Sequence, residues 1–232
     1  MSFLQRVRLA MTILRHREST HAPVFVHPVG PMRRVERVEF LLSLARGHRV
    51  LHIGFLDSPF LEERLRDRTM LHLRLQDVST DLFGIDVDPQ DLARYRQLTG
   101  DTANLCLDLS RPDVDLRPIQ AVPGDYIFLT EVLEHIGDPA MVLRNLHQVC
   151  VTRGARLVIT VPNAFALHGF ISATFGTELV HPDHFFYFSP VTLRRLVTSC
   201  GFTVQEMLLY GGAGSRRPPG LADAGIVCVC AP

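Results

Sequence analysis

Residues 126–163 read YIFLTEVLEHIGDPAMVLRNLHQVCVTRGARLVITVPN, and this stretch decides the fold. It opens on five strand-favouring residues, Tyr126 to Thr130, and closes on a second β-rich run, Arg156 to Val161, stopped by Pro162. Between them, Met141 to Val149 has helical spacing. A strand, a helix and a second strand in that order predict a parallel crossover unit.

The same alternation continues upstream. Arg49 to Ile53 is a short apolar strand ending at Gly54, and a helical stretch follows Pro59. Leu82 to Asp86 is the next strand, and Asp88-Pro89 opens a helix with the aspartate as cap and the proline at its first position. Asn104 to Leu107 is the third strand, which makes the two runs above the fourth and fifth. Downstream, a helix from Pro190 to Ser199 is closed by Gly201. Phe202 to Leu209 and Gly225 to Cys230 complete the series, separated by the loop GGAGSRRPPGLADA. The pattern predicts a parallel sheet covered by helices on both faces, with the last two strands as a hairpin. Ahead of it, Arg33 to Arg46 reads as one helix, with Val35, Val38, Leu41, Leu42 and Ala45 on one face. HAPVFVHPVGP (21–31) is an irregular connector. Phe3, Val7, Met11 and Leu14 mark a short amphipathic helix, suited to packing on the domain or on the partner in a homodimer.

Composition narrows the functional classes. The 232 residues carry 24 basic and 24 acidic side chains, so no global positive field draws the chain to nucleic acid or an anionic membrane. Every basic residue is an arginine, which excludes lysine Schiff-base chemistry and the lysine of a P-loop. The five cysteines are scattered without a C-x-x-C pair, against both a disulfide framework and a structural zinc site. No apolar run reaches the ~20 residues that span a bilayer. Arginines interrupt the N-terminal apolar stretch, so it does not read as a secretory signal. These features fit a cytoplasmic protein.

In open sheets of this kind, ligands bind outside the carboxyl ends of the strands. That rule selects Gly54 to Ser58, Asp86 to Asp88, Asp108-Leu109, Thr130 to His135 and Pro162-Asn163. Asp86 is placed to accept both hydroxyls of a ribose, with Val87 beside it, and Asp108 to accept an adenine amino hydrogen. If the segment after Thr130 turns helically, Glu131, Glu134 and His135 share one face at i, i+3 and i+4. Two carboxylates and an imidazole there suit proton transfer or a divalent ion, and the later HPDH (181–184) offers His184 as a fourth ligand. Such a mixed set favours manganese, iron, cobalt or zinc over magnesium.

The blocks VLHIGFLDSP, LFGIDVDPQ, DYIFLTEVLEHIGDPAMVLRNLHQV, RGARLVITVPN and HFFYFSPVTLRRLVTSCGF resemble class I S-adenosylmethionine-dependent methyltransferases, in that family's order, over about residues 48–210. The resemblance implies a Rossmann-like, doubly wound, seven-stranded sheet with S-adenosylmethionine laid across strands one to four. It implies an N-terminal helical cap over 1–47 and a methyltransferase domain over 48–232, with a lid insertion at about 164–189. The cofactor would meet His52, Gly54, Asp57, Asp86, Val87, Asp108, Leu109 and Thr130. One departure stands out. The family places an acid and then G-x-G-x-G in the first loop, whereas here His52 takes the acid position and Leu56 and Ser58 replace glycines. Asp57 would restore the missing carboxylate. The E-x-x-E-H block resembles the metal set of small-RNA 2′-O-methyltransferases, which implies Glu131, Glu134, His135 and His184 as ligands.

The expected function is methyl transfer to a hydroxyl of a sugar-containing or other small metabolite, with His135 or His184 as base. RNA is disfavoured, because the basic excess is confined to the N-terminal arm. The degraded glycine loop keeps two alternatives open: a scaffold subunit without turnover, and a cofactor-binding enzyme with other chemistry.

Overall fold

The computed structural model describes residues 32–211 and 223–232. The helix expected over residues 3–14 and most of the 211–224 loop lie outside them. In chain order the elements are β1 (Arg34–Val35), α1 (Arg37–Ala45), β2 (Arg49–Ile53), α2 (Leu61–Arg66), α3 (Leu71–Gln76), β3 (Asp81–Asp86), α4 (Pro89–Thr99), β4 (Asn104–Cys106) and α5 (Arg117–Ala121). Then follow β5 (Tyr126–Thr130), a 3-10 turn (Leu133–His135), α6 (Pro139–Arg153), β6 (Arg156–Pro162), α7 (Leu167–Thr174), α8 (Pro190–Ser199), β7 (Thr203–Tyr210) and β8 (Gly225–Ala231).

The strands form one sheet in the order β1-β7-β8-β6-β5-β2-β3-β4. Only β8 runs antiparallel to its neighbours, pairing with β6 on one side and β7 on the other. The chain reverses its direction of strand addition between β2 and β5, which places a switch point at their carboxyl ends. Successive residues of a strand face opposite sides of the sheet, so a strand covered on both faces must be apolar throughout. In β5, Ile127 and Leu129 enter one core with α6 and α8, while Tyr126 and Phe128 enter the other with α1 and α3. All five residues of β5 are buried.

Two helices begin at an aspartate cap followed by proline; the first is the start the sequence predicts, and the second lies ahead of the expected Met141. Asp88 caps α4 by accepting from the Gln90 and Asp91 amides at 2.8 and 3.1 Å. Asp138 caps α6 by accepting from the Met141 amide at 3.1 Å. The helix expected over Arg33–Arg46 is shorter than its pattern. Glu36 caps it by accepting from the Glu39 amide at 2.7 Å, and Arg34-Val35 pairs instead in parallel with Leu209-Tyr210 of β7. This edge strand raises the count from the expected seven to eight, and its partner lies too far along the chain for local periodicity to reveal it. Among the described residues no helix is long and apolar enough to cross a membrane.

Candidate active site

The site is built on the carboxyl ends of β2, β3, β4 and β5. Gly54 follows β2 at φ +71°, and its amide donates to the Ile85 carbonyl at 2.8 Å. A Cβ there would lie 2.1 Å from Val132 Cγ2, so glycine is needed both for its backbone and for the approach of the turn after β5. The departure from the glycine pattern at Leu56 has a physical explanation. Phe55 and Leu56 point away from the site into a small core with Leu61, Met70, Leu92 and Tyr95. What Leu56 presents to the site is its amide, which donates to Asp86 Oδ2 at 3.0 Å. Asp57 adopts φ +54°, and its carboxylate lies 3.2 Å from Arg64.

Asp86 also accepts from the Val87 amide at 2.8 Å, and burial raises its pKa against those hydrogen bonds. It stands where two cavities meet. One, of about 490 Å³, is lined by apolar residues including Ile53, Val87, Leu109, Leu129 and Ile136, with Asp108 on its wall. Asp108 Oδ1 accepts from the Ser110 amide and hydroxyl at 2.9 and 2.6 Å. The other, of about 500 Å³, is polar and includes Arg37, His52, Asp57, Arg64, Thr130 and Glu131. Gly54, Asp86, Val87, Val132 and His135 line both.

His52, at the position of the family's acid, is buried and spends both ring nitrogens inside the protein. Its Nε2 meets Thr130 Oγ1 at 3.0 Å and its Nδ1 meets His72 Nδ1 at 3.2 Å. Burial drives both imidazoles toward the neutral form; the pKa of His72 falls to about 3. Local pattern gave no hint of His72, since only the tertiary fold lays α3 against β2.

The segment after Thr130 departs from the helical face expected for Glu131, Glu134 and His135. Glu131 sits at φ +54°, and a 3-10 turn rather than an α-helix follows. The Glu131 carboxylate is taken up by the protein, accepting from Tyr210 at 2.6 Å and Thr160 at 2.7 Å, with Arg37 at 3.6 Å. Glu134 is 1% exposed, its Oε2 has no hydrogen-bond partner, and burial with Glu131 nearby raises its pKa to about 8. Among the described residues, the donors grouped tightly enough for a metal are instead His135, His181 and His184, with atoms within 4.8 Å of one another. The His135 ring meets those of His184 and His181 at centroid distances of 4.5 and 5.6 Å. Burial, and then the neighbouring imidazoles, lower the pKa of His135 and His184, which favours the unprotonated form. His181 was legible in the H-x-x-H spacing of 181–184, but as part of a loop thought to offer one ligand rather than two.

An apolar cavity beside a polar one, divided by an acid at the end of β3, lies where the doubly wound folds bind their ligands, at the switch in strand order. A family model described as a methyltransferase domain matches residues 36–207, and the chain belongs to that family. No curated protein matches the chain. Among solved structures, the small RNA methyltransferase HEN1 is similar at 18% identity and a TM-score of 0.57, over 91% of this chain. The chain spans only 27% of that structure's length. A methyltransferase from Mesorhizobium loti aligns at 15% identity and TM-score 0.51, covering 84% of this chain and 95% of its own. Magnesium protoporphyrin IX methyltransferase from Synechocystis PCC 6803, with bound SAH, aligns at 12% identity and TM-score 0.55, covering 95% of each. At these identities the likeness speaks for the fold.

Proposed function

We propose that the protein transfers a methyl group from S-adenosylmethionine to a hydroxyl of a small acceptor, a sugar-containing metabolite being the kind we favour. The observation that carries this reading is the position of Asp86 on the rim shared by the apolar and polar cavities. Asp86 would hold the ribose hydroxyls, Asp108 the adenine amino group, and Val87 and Leu109 the faces of the base. Gly54, Asp57 and Thr130, the last backed by His52, would hold the methionyl end. When bound, S-adenosylmethionine supplies an electrophilic methyl on a sulfonium. Methyl transfer needs chiefly positioning, and a base need only take the hydroxyl proton. His135 or His184, both favoured in the unprotonated form, serves as that base.

A divalent metal belongs to the same reading. Three clustered imidazoles fit a transition ion such as manganese, iron, cobalt or zinc better than magnesium. His135, His181 and His184 would hold it, in place of the expected set that included Glu131. Bound there, a metal would lower the pKa of the acceptor hydroxyl. We place the protein in the cytoplasm on its unpaired cysteines, and take 164–189 as the acceptor lid. RNA is not our favoured acceptor, given the zero net charge.

Isothermal titration with S-adenosylhomocysteine tests the cofactor. Binding in the micromolar range that weakens ten- to a hundredfold in Asp86→Ala supports the reading, as expected for lost hydrogen bonds to a carboxylate, roughly 1.5–3 kcal/mol. No binding up to millimolar concentration refutes it. Binding with no turnover over a broad acceptor screen would favour the scaffold alternative. For the metal, turnover should vanish with chelator and return better with manganese than magnesium, and His181→Ala should abolish that response. Unchanged turnover under chelation leaves the histidines as bases only.

A further inference from the structure

We propose that the acceptor is an amphiphile, whose hydroxyl-bearing head enters at the histidine cluster while a hydrocarbon tail lies on the lobe formed by residues 164–189. This rests on the methyl-transfer reading above and narrows its acceptor. The first observation is the distribution of exposed apolar side chains. Twelve large hydrophobic residues are exposed among those described, and eight of them fall between Phe165 and Tyr187. Phe175 is 80% and Phe185 67% exposed. Single exposed hydrophobics are ordinary, but a concentration of this kind marks a binding surface.

The second observation is that the lobe is a built part of the site. Its base is closed where the Ala164 amide donates to the Phe188 carbonyl at 2.8 Å. The Phe185 amide donates to the Glu134 carbonyl at 2.8 Å, which ties the lobe to the turn after β5. The Tyr187 hydroxyl donates to the Leu179 carbonyl at 2.8 Å and joins the two apolar stretches, 179–180 and 185–187. Those stretches flank His181 and His184, whose rings meet His135 on the cavity rim. Exposed apolar residues thus adjoin in the chain the groups that would face the reacting hydroxyl.

The third observation is charge. Between residues 164 and 189 the sequence carries Glu178 and Asp183 and no arginine. A polyanion finds no arginine on this lobe, and a wholly polar metabolite leaves its phenyl rings in water. A hydrocarbon tail covers them, at a gain of up to about fourfold in affinity for each methylene fully buried.

The test uses the full chain and n-alkyl β-glucosides of four to ten carbons, each below its critical micelle concentration, titrated calorimetrically with and without S-adenosylhomocysteine. The expected result is a dissociation constant that falls two- to fourfold per added methylene. Phe175→Ser and Phe185→Ser, both surface changes, should flatten that slope and leave S-adenosylhomocysteine affinity within twofold. A flat slope in the wild type, or an unchanged slope in both variants, overturns the proposal. So does a doubled mass by light scattering that either variant halves, because the lobe is then covered by a second copy. If S-adenosylhomocysteine fails to bind while the slope persists, the methyl-transfer reading falls and the tail surface stands. If it binds and the slope is flat, the amphiphile alone falls.

Discussion

Gly84 lies inside β3, where glycine ordinarily weakens a strand, and the ring of Phe55 occupies the space its side chain would take. A Cβ at Gly84 would lie 2.6 Å from Phe55 Cε1. The pair explains how the first loop seats its aromatic residue: a phenylalanine after Gly54 is accommodated because the neighbouring strand leaves room for it. Gly84→Ala should therefore destabilise the protein by about 1–3 kcal/mol, the usual cost of overpacking, read as a lower urea midpoint at unchanged slope. At this scale Gly54 and Asp86 were legible, because a position at a strand end carries its own meaning. Phe55 and Leu56 were not, since nothing in the loop says that their side chains leave the site.

At the scale of elements, the turn after β5 is held by groups from distant strands. Glu131 stands in a left-handed conformation that costs a non-glycine residue energy, and Thr160 of β6 and Tyr210 of β7 fix it there. Tyr210 is itself seated over Gly225 of β8, where an added Cβ would meet its ring at 2.0 Å. Tyr210→Phe should cost about 1–2 kcal/mol, because it removes a hydrogen bond to a half-exposed carboxylate. Gly225→Ala should cost more than Tyr210→Phe, because it displaces the whole ring. Equal urea midpoints for the two variants would contradict this account. The E-x-x-E-H spacing suggested a helical face, but helical geometry requires φ near −63° at each residue, and Glu131 departs from it.

For the molecule as a whole, the buried pair His52 and His72 should shape stability against pH. Each has a folded pKa below its unfolded value near 6.5, so the unfolded chain binds protons that the folded one refuses. Their contribution is intact above that value and is lost as pH falls below it, for His72 over the range from about 6.5 to about 3. Between pH 7 and pH 5 the loss from His72 is about 2 kcal/mol, and His52 adds to it in the same direction. His72→Phe should reduce this decline by about 2 kcal/mol, while lowering stability at pH 7.5 because His52 Nδ1 loses its partner. Urea unfolding at pH 7.5 and pH 5 checks both signs. A variant as acid-sensitive as the wild type would show that His72 does not titrate on unfolding.

By itself the sequence determined the alternation of strands and helices, the strand ends that make the site, and Asp86 with its cavity-facing neighbour Val87. Periodicity and position are local properties, and each of these follows from residues a few places apart. Only the tertiary structure decided the eighth strand at Arg34-Val35, the pairing of His52 with His72, the capture of Glu131 by Tyr210 and Thr160, and the meeting of His135 with His181 and His184. Every one of these joins groups separated by twenty or more positions, apart from the Arg34-Val35 strand itself, whose pairing partner is equally remote. Hydrogen bonds and ring contacts of that kind form only once the sheet has brought its strands side by side, so no local pattern carries them.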